Sequence, residues 1–350
     1  LYVQDGSPVI EDCHFLENYA YLGDGGGLAI AGNSSPVVRR CEFARNVADA
    51  RYADAQGAGL YVATATPITI EDCVFEDNRT RHFDPTSHTS YGGGMAVWTN
   101  GAVVRRCVFR RNVAMYGGGL LTWGDTTVED SIFEGNEAVE VGGAVADKGG
   151  WGGGLMINSF WGKQLHLVNS TVAYNSAQKY AGVHMGLSAT GLIENSIVWG
   201  NSAANPEIAS GWKSQLGGDF DLAWSCVWKI FQPHAPGEDP IEPSKLPGCT
   251  EADPQFVVPG AGGDLRLTAT SPCVDAGNNA LAPGLLDVGG GGRHQDDPAV
   301  DTGVGSAPVV DLGALGRGAD TGADFGDGHR DTGGRGAASG HPAGGAAMKL

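Results

Sequence analysis

The chain has 350 residues, 57 of them glycine, and a formal net charge of −18 at pH 7. This acidity argues against a nucleic-acid partner, because phosphate binding requires a basic face. The glycines follow no three-residue period, which excludes a collagen-like chain, and no apolar run is long enough for a helical membrane span.

Residues 1–201 repeat a pattern that has two parts. The first part reads C-x-F-x-x-N and begins with Cys13, Phe15 and Asn18; later copies have serine in place of cysteine. The second part is a glycine cluster followed by an apolar residue, as in Gly25-Gly26-Gly27-Leu28. The asparagine recurs at Asn18, Asn46, Asn78, Asn112, Asn136, Asn175 and Asn201. Successive asparagines are 24 to 39 residues apart. Repetition at this spacing indicates a solenoid in which each copy forms one coil.

The spacing of apolar residues inside a repeat favours strands over helices. Ile68 and Ile70, followed by Cys73 and Phe75, alternate with polar residues and are mostly β-branched or aromatic. Glycine clusters and scattered Asn and Asp residues oppose helices. We therefore predict an all-β fold, a parallel β-helix of about seven to eight coils that stack about 4.8 Å apart.

Each coil is expected to place identical side chains in columns. The phenylalanine and the cysteine two residues before it point to the same, inner side of the strand. The inner columns are Phe15, Phe43, Phe75, Phe109 and Phe133, and Cys13, Cys41, Cys73 and Cys107. We interpret the cysteines as small buried hydrophobes, since parallel Cβ vectors suit disulfides poorly and no metal-ligand spacing is present. The asparagine column is read as structural, because each amide can bond the turn and the amide of the next coil.

The paired motifs resemble the repeats of the chlamydial polymorphic outer membrane proteins and related bacterial right-handed β-helix proteins. The resemblance covers residues 1–201. It implies a right-handed β-helix that is secreted or held at the cell surface, often as an adhesin or passenger domain. The resemblance is specific for the fold and says little about the ligand.

The first residues match the interior of a later coil. Leu1-Tyr2-Val3 is similar to Leu60-Tyr61-Val62, which directly follows a glycine cluster. We therefore expect the β-helix, residues 1–230, to be truncated at its N-terminus, with a further coil upstream. Because a solenoid needs a polar cap, this end is expected to expose apolar side chains.

Three segments follow the β-helix. Its last, degenerate coil is read at Trp224-Ser225-Cys226-Val227-Trp228, and frequent prolines predict a loop over residues 231–251. Residues 252–317 are predicted to form a capping module. Residues 318–350 are mostly Gly, Ala, Asp and His, a composition that predicts disorder.

Residues 252–317 resemble the tail module of bacterial, often planctomycete, β-helix proteins, which reads D-P-x-F, G-D-x-x-L, S-P-x-x-D-A-G and V-D-x-G-A-Y-E. The matching residues are Asp253, Pro254, Phe256, Gly263, Asp264, Leu267, Ser271, Pro272, Asp275, Ala276, Gly277, Val310, Asp311, Gly313 and Ala314. The resemblance implies a module that closes the β-helix ahead of an anchoring or sorting segment. The Tyr-Glu ending is replaced by Leu315-Gly316. Cys249 and Cys273 either pair with each other or remain free thiols.

One insertion carries candidate catalytic residues. The largest early insertion runs between Asn78 and Gly92 and includes Arg79, Arg81, His82, Asp84 and His88, of which the last four are the candidate catalytic residues. Loops of this kind hold many active sites, although a solvated surface loop has the same composition. Hydrolases need paired carboxylates, whereas lyases of this fold use calcium-binding carboxylates with an Arg or Lys base. Calcium is therefore expected only if the protein is a lyase; otherwise we expect no metal and no cofactor.

Two tryptophans are candidate ligand contacts. The fourth position after a glycine cluster should point outward, and Trp98 and Trp123 occupy it in successive coils. They should stack about 4.8 Å apart. Tyr61 and His184 lie at the second position, which also faces outward. Exposed aromatic rings of this kind bind the apolar faces of sugars, unless the rings pack beneath a loop.

The favoured function is a non-catalytic binding or adhesive stalk that contacts a polysaccharide or a cell-surface glycan. We expect it to be secreted or at the cell surface, and monomeric. The regular coils, and the lack of an acid pair at fixed spacing, favour this interpretation. The alternative is a secreted polysaccharide lyase or glycoside hydrolase of the pectate-lyase-like fold, because fold alone does not decide between the two.

Overall fold

The computed structural model of the chain describes residues 1–21, 23–50, 53–82, 88–139, 149–205, 211–233, 239, 241–282, 284, 286–293, 302–305 and 309–315. Regular structure in these ranges is short β-strand, apart from three single-turn helices. These 3-10 helices are Trp212–Ser214, Pro243–Lys245 and Asn279–Leu281. None of the described helices is long and apolar enough to cross a membrane.

Four parallel sheets run along the molecule, and successive coils contribute successive strands to each sheet. Sheet A contains Tyr2–Gln4, Leu28–Gly32, Leu60–Thr64, Met95–Val97, Leu120–Thr122, Leu155–Ser159, Val183–Leu187 and Leu216–Gly217. Sheet B contains Val9–Glu11, Val37–Arg39, Thr69–Glu71, Ala102–Arg105, Thr126–Glu129, Gln164–Val168, Thr190–Glu194 and Asp219–Ala223. Sheet C contains His14–Leu16, Glu42–Ala44, Val74–Glu76, Val108–Arg110, Ile132–Glu134, Thr171–Ala173, Ile197–Trp199 and Cys226–Val227.

Sheet D is shorter and follows sheet C in each coil. It contains Tyr19–Tyr21, Val47–Ala50, Arg79–His82, Val113–Ala114, Glu137–Ala138, Ser176–Ala177 and Ser202–Ala203. Ala55–Gln56 and Ser90–Tyr91 form a small parallel pair before the glycine clusters, and Phe256–Val258 pairs antiparallel with Asp264–Leu267. Sheets A, B and C each have eight described strands, which confirms the predicted parallel β-helix and its number of coils.

Two corners of each coil turn on a single residue with a left-handed backbone. Between sheets B and C these residues are Asp12, Arg40, Asp72, Arg106, Asp130, Asn169, Asn195 and Trp224. Between sheets C and D they are Glu17, Arg45, Asp77, Arg111, Gly135, Tyr174 and Gly200. The second corner therefore bends one residue before the asparagine of the repeat. One left-handed residue turns the chain between two strands, at a cost of about 1–2 kcal/mol when it is not glycine.

Phenylalanine rings form a continuous stack in the interior. The ring centroids of Phe15 and Phe43 are 4.7 Å apart, and those of Phe109 and Phe133 are 4.6 Å apart. Val172 continues the column in the next coil. Phe43, Phe75, Phe109 and Phe133 are fully buried. This column supplies much of the apolar area that holds the coils together.

The asparagines form a hydrogen-bonded series beside the phenyl stack. Asn46 Oδ1 accepts bonds from the backbone N (3.0 Å) and Nδ2 (2.8 Å) of Asn18. Asn46 Nδ2 donates to Phe15 O at 2.7 Å. The same three bonds recur from coil to coil up to Asn201, where Gln215 Oε1 accepts both donors of that residue. Each amide thus ties its own corner to the corners on either side.

The cysteines of the inner column are thiols, and all seven cysteines in the chain are free. Hydrogen bonding to the Cys73 thiol, together with burial, raises the pKa of Cys41, which keeps the thiol neutral. In later coils serine continues the column: Cys107 N donates to Ser131 Oγ at 3.1 Å. Between the two alternatives for Cys249 and Cys273, the structure has free thiols, and Cys273 raises the pKa of Cys226 instead.

The glycine clusters allow backbones to approach closely at the corner between sheets D and A. Gly92 has φ of +57°, and a Cβ on Gly94 would lie 2.7 Å from Gly119 O. The same Cβ would lie 3.0 Å from the ring of Phe109 and 3.2 Å from the amide carbon of Asn112. The two parts of the repeat therefore meet across the interior, and only glycine fits between them.

Charged residues at the ends of the first five sheet B strands alternate in sign from one coil to the next. The pairs are Glu11-Asp12, Arg39-Arg40, Glu71-Asp72, Arg105-Arg106 and Glu129-Asp130. Arg40 Nε lies 2.8 Å from Asp12 Oδ1, and Arg106 Nε lies 2.7 Å from Asp72 Oδ1. Adjacent coils thus attract each other along this edge.

The two ends of the β-helix differ. At the first coil the inward-facing Leu1 is exposed, and Cys13 and Phe15 are only partly buried, whereas their counterparts Leu28, Cys41 and Phe43 in the second coil are buried. At the last coil Phe231, Ile241, Leu246 and Cys249 pack against the interior cluster. The described residues of the segment predicted as a proline-rich loop therefore cover the C-terminal end of the core.

The described part of the 252–317 module lies on the side of the β-helix, not over its end. Phe256, Leu265 and Cys273 pack with Val108 and Ile197 on the outer face of sheet C. The physical reason is the middle residue of the C-x-F motif, which is polar in the first two coils and mostly apolar later. An apolar outer face needs a cover, and the module provides it. Residues 318–350, predicted to be disordered, lie outside the described residues.

The module's sequence motifs hold one another in place. Gly277 N donates to Val310 O at 2.8 Å, and Asp275 N donates to Asp311 Oδ1 at 2.8 Å. These bonds join the S-P-x-x-D-A-G segment to the V-D-x-G segment. The module also contacts the corner residue Asn195, whose Nδ2 donates to the backbone oxygen of Asn278 at 3.0 Å.

Candidate functional site

Sheet A presents the uncharged side of an otherwise acidic molecule. Its eight strands contain no Lys, Arg, Asp or Glu, whereas sheets B, C and D each include charged residues. Because its interior-facing positions are apolar, the remaining positions alternate outward and form two columns on the outer face.

The two columns come from the second and fourth positions after each glycine cluster. The second positions are Tyr2, Ala29, Tyr61, Ala96, Leu121, Met156, His184 and Gly217. The fourth positions are Gln4, Ala31, Ala63, Trp98, Trp123, Asn158 and Gly186. A third column stands just before the clusters and contains Asp24, Gln56, Tyr91, Tyr116, Trp151 and Lys179.

Trp98 and Trp123 stack directly on each other. Their ring centroids are 3.9 Å apart and the ring planes differ by 8°, a closer contact than the strand spacing predicts. Trp98 Nε1 donates to Gln56 Oε1 at 2.6 Å, which fixes the orientation of the indole. Trp123 also meets the edge of Tyr91, with ring centroids 5.0 Å apart. One face of Trp98 is covered by Trp123, and the residue is still 41% exposed, so we assign the open area to its other face, on the side of Ala63.

Rings of the third column cover the later part of sheet A. Tyr91 and Tyr116 have ring centroids 5.5 Å apart, and Tyr116 and Trp151 have centroids 6.0 Å apart. Leu121 and Met156 are buried on this same face. Aromatic rings therefore cover the outer surface of the middle coils, while in the fourth-position column of the second and third coils only the small side chains of Ala31 and Ala63 are present.

His184 is outward-facing but is not accessible to a ligand. It is 6% exposed, stacks on Tyr180 at 4.6 Å and meets Trp151 at 5.5 Å. Burial lowers the pKa of His184 to about 4. Within the described residues neither ring nitrogen makes a hydrogen bond of normal geometry, although the Gly217 backbone lies nearby. The structure thus removes His184 from the candidate carbohydrate contacts.

Tyr61 remains at the edge of the open part of the face. Its ring is half-buried, and burial together with the nearby Asp24 carboxylate raises its pKa to about 12. Burial also raises the pKa of Asp24 to about 6. Gln56 and Asp24 were missed in the sequence, although both occupy the position just before a glycine cluster, where the later coils have aromatic rings.

The candidate catalytic residues are only partly described. Arg81 is exposed in sheet D beside Asp49 of the preceding coil, and His88 is half-buried. The His82 side chain and all of Asp84 lie outside what the structure describes, so the predicted convergence around Asp84 stays a prediction. Among the described ranges, no three His, Cys, Asp or Glu side chains converge to hold a metal ion.

Comparison with known proteins identifies the fold. A family model described as "Right handed beta helix region" matches residues 1–137. Together with the parallel stacking of sheets A to D, this match establishes a right-handed parallel β-helix. No curated protein matches the chain, and no solved structure does so either. The resemblances to polymorphic outer membrane proteins and to the planctomycete module therefore stay predictions.

Proposed function

We propose that the protein is a non-catalytic, secreted or cell-surface β-helix that binds carbohydrate on the outer face of sheet A. The observation that carries this proposal is the stacked pair of Trp98 and Trp123, which leaves one indole face open on an uncharged sheet. An indole face suits the apolar face of a sugar ring, and its N–H edge suits a polar neighbour.

The pair is held rigidly before any ligand arrives. Stacking against Trp123 and the hydrogen bond to Gln56 fix the Trp98 ring, which is nevertheless 41% exposed. A fixed side chain loses little rotamer entropy when it binds, so more of the contact energy contributes to affinity. An exposed aromatic ring that is already ordered is a common sign of an interaction site.

The stacked coils suit a stalk that presents this face. Eight coils at about 4.8 Å each give a rod of roughly 40 Å. Because each coil contacts only its neighbours, such a rod is a rigid spacer for a lateral binding surface. We retain the predicted monomeric state and surface localisation as parts of the proposal.

A polysaccharide lyase or hydrolase is the second candidate. The observation in its favour is the exposed Arg81 beside Asp49 on sheet D, next to the insertion that contains Asp84. An activity screen on pectate, alginate and xylan, with and without calcium, tests this candidate. Release of unsaturated or reducing sugars would show that the protein is an enzyme and would contradict the binding-only proposal. Substitution of Arg81 by Ala should abolish that release if the insertion is the active site.

The binding proposal is tested by co-sedimentation with insoluble cellulose, chitin, xylan and mannan. Trp98→Ala should raise the dissociation constant at least about tenfold, equivalent to about 1.4 kcal/mol. The matched control is Trp161→Ala, which removes an indole that is 73% exposed outside the stacked pair. Wild-type affinity in Trp98→Ala, or a loss confined to Trp161→Ala, would contradict the proposed site.

A further inference from the structure

We infer that the ligand is an uncharged glycan, one sugar ring of which stands on edge over Ala63 with its apolar face against Trp98. This inference rests on the proposed function and narrows it to a ligand class and a position. Its starting point is the direction of the open indole face.

The fourth-position column has a gap on the N-terminal side of Trp98. Gln4, Ala31, Ala63 and Trp98 follow one another from the first to the fourth coil. Ala31 and Ala63 are half-buried, with only a methyl group each above the sheet. At about 4.8 Å per coil, the gap between Gln4 and Trp98 extends over roughly 14 Å. We call this gap the alanine trough.

The side chains described beside the trough are polar and uncharged. Tyr61 stands beside Ala63 in the second-position column. Gln56 accepts the Trp98 indole N–H through Oε1, which leaves its Nε2 group to donate to a ligand. At the far end Gln4 is exposed, and its Oε1 accepts a bond from Tyr2 at 3.2 Å. Side-chain amides and a phenol hydroxyl both donate and accept, which is what sugar hydroxyls require.

The electrostatics around the trough disfavour acidic sugars. No strand of sheet A has a Lys or Arg, so a uronate or sulfate would find no guanidinium fork there. Two described ionisable groups at this side of the molecule are acidic: Asp24 lies close enough to Tyr61 to raise its pKa, and Asp5 Oδ1 accepts a bond from the backbone N of Asn33 at 2.8 Å. Like charges placed opposite each other cost affinity and select against the wrong partner.

The orientation of the indole sets the direction of the glycan. Trp98 and Trp123 stack from coil to coil, so their planes lie across the helix axis. A sugar ring stacked on Trp98 has the same orientation, and its neighbours in the chain extend along the strands instead of along the axis. A five-residue strand spans only about 16 Å. The face therefore holds a short segment, and long polymers gain nothing over short oligosaccharides.

The test measures binding by calorimetry with neutral oligosaccharides (cello-, xylo-, manno- and chito-oligosaccharides) and with oligogalacturonates. Ala63→Leu fills the trough with a branched side chain that offers no flat face. Its matched control is Asn158→Leu, in the same column but beyond Trp123. We expect at least one neutral series to bind, with affinity that stops rising at short length. Ala63→Leu should weaken it at least about tenfold, and Asn158→Leu less than about twofold.

The outcomes separate this inference from the proposed function. Thermal unfolding of each variant first establishes that it is folded. If wild type binds none of the neutral or acidic probes, the proposed function fails. If it binds only oligogalacturonates, or if folded Ala63→Leu binds as wild type does, or if Asn158→Leu loses binding equally, the alanine trough is wrong while carbohydrate binding stands.

Discussion

Arg293 of the C-terminal module lies 2.7 Å from Asp130 of the fifth coil, and the two side chains are 1% and 8% exposed. The contact is an ion pair without an aligned hydrogen bond to that oxygen. In the next coil the corner residue is Asn169, which brings no charge. The module therefore supplies the cation that would continue the alternating series along the edge of sheet B.

Replacing Arg293 with Met should destabilise the protein by about 3–5 kcal/mol, because a buried carboxylate would lose its partner. Denaturant unfolding at pH 7 measures this loss. The double variant Asp130→Asn, Arg293→Met should recover part of it, since no uncompensated charge remains, although the backbone oxygen of Gly313 still loses the bond that Arg293 Nη1 donates at 2.9 Å. Equal losses in the single and double variants would show that Arg293 contributes through packing and its bonds to backbone carbonyls, and not through its charge.

The loss in Arg293→Met should depend on pH. Burial raises the pKa of Asp130 to about 6, so the folded state takes up a proton between pH 3.8 and 6 more readily than the unfolded chain. Ionisation of Asp130 therefore costs stability as pH rises through this window. We expect the Arg293→Met deficit to be smaller at pH 4 than at pH 7.5, measured by denaturant unfolding at both values.

Acid should weaken the fold through His184. Burial lowers its pKa to about 4 from 6.5, so the unfolded chain binds the proton first and stability falls as pH drops from 6.5 to 4. The full effect is about 3 kcal/mol. His184→Leu, which resembles Leu121 and Met156 in the same column, should remove it. We expect the variant to gain thermal stability relative to wild type at pH 4 but not at pH 7.

A break in the middle of the asparagine series should cost more than a break at its end. Asn112 is fully buried, accepts two bonds from Asn78 and donates to Phe75 O. Asn112→Ala leaves these groups without partners, at about 1–3 kcal/mol each. Asn18 is exposed and only donates to Asn46. Asn18→Ala should therefore cost under about 1 kcal/mol, and similar losses in both variants would contradict a cooperative series.

Reversing one charge of the alternating edge should destabilise the protein, and reversing its partner as well should restore part of the lost stability. Arg106→Glu places an acid between Asp72 and Asp130. Because Arg106 and Asp72 are partly exposed, we expect a loss of about 1 kcal/mol. Adding Asp72→Arg should restore part of it, although the introduced guanidinium would then face Arg40. The coupling energy from a double-mutant cycle measures the pair.

The interior of the fold was readable from the sequence. Its signals are the alternation of period two, one phenylalanine and one asparagine per repeat, and glycines at a fixed position. Each of these signals determines the conformation or burial of a single residue and can be recognised within one repeat. The position of the module was not predicted, although the middle residue of C-x-F changes from His14 and Glu42 to Val74, Val108 and Ile132. That change predicts a cover on the outer face of sheet C only once the strand is known to have an outer face as well as an inner one.

The candidate site was only half predictable. Trp98 and Trp123 follow from the outward parity of position four. His184 has the same outward parity as Tyr61, yet its cover comes from Trp151 of the preceding coil and from Tyr180. Parity gives the side of a sheet on which a residue lies, whereas burial depends on neighbours contributed by other coils. No local pattern reports those neighbours.

The alternation of charge along sheet B has a period of two coils, not one. Deleting or duplicating a single interior coil among the first five would place Glu against Glu, or Arg against Arg, at the junction where the change was made. Removing or adding two coils would leave every contact favourable. Insertions and deletions in this part of the chain should therefore comprise two coils at a time. Related β-helices that keep this edge should differ by even numbers of repeats.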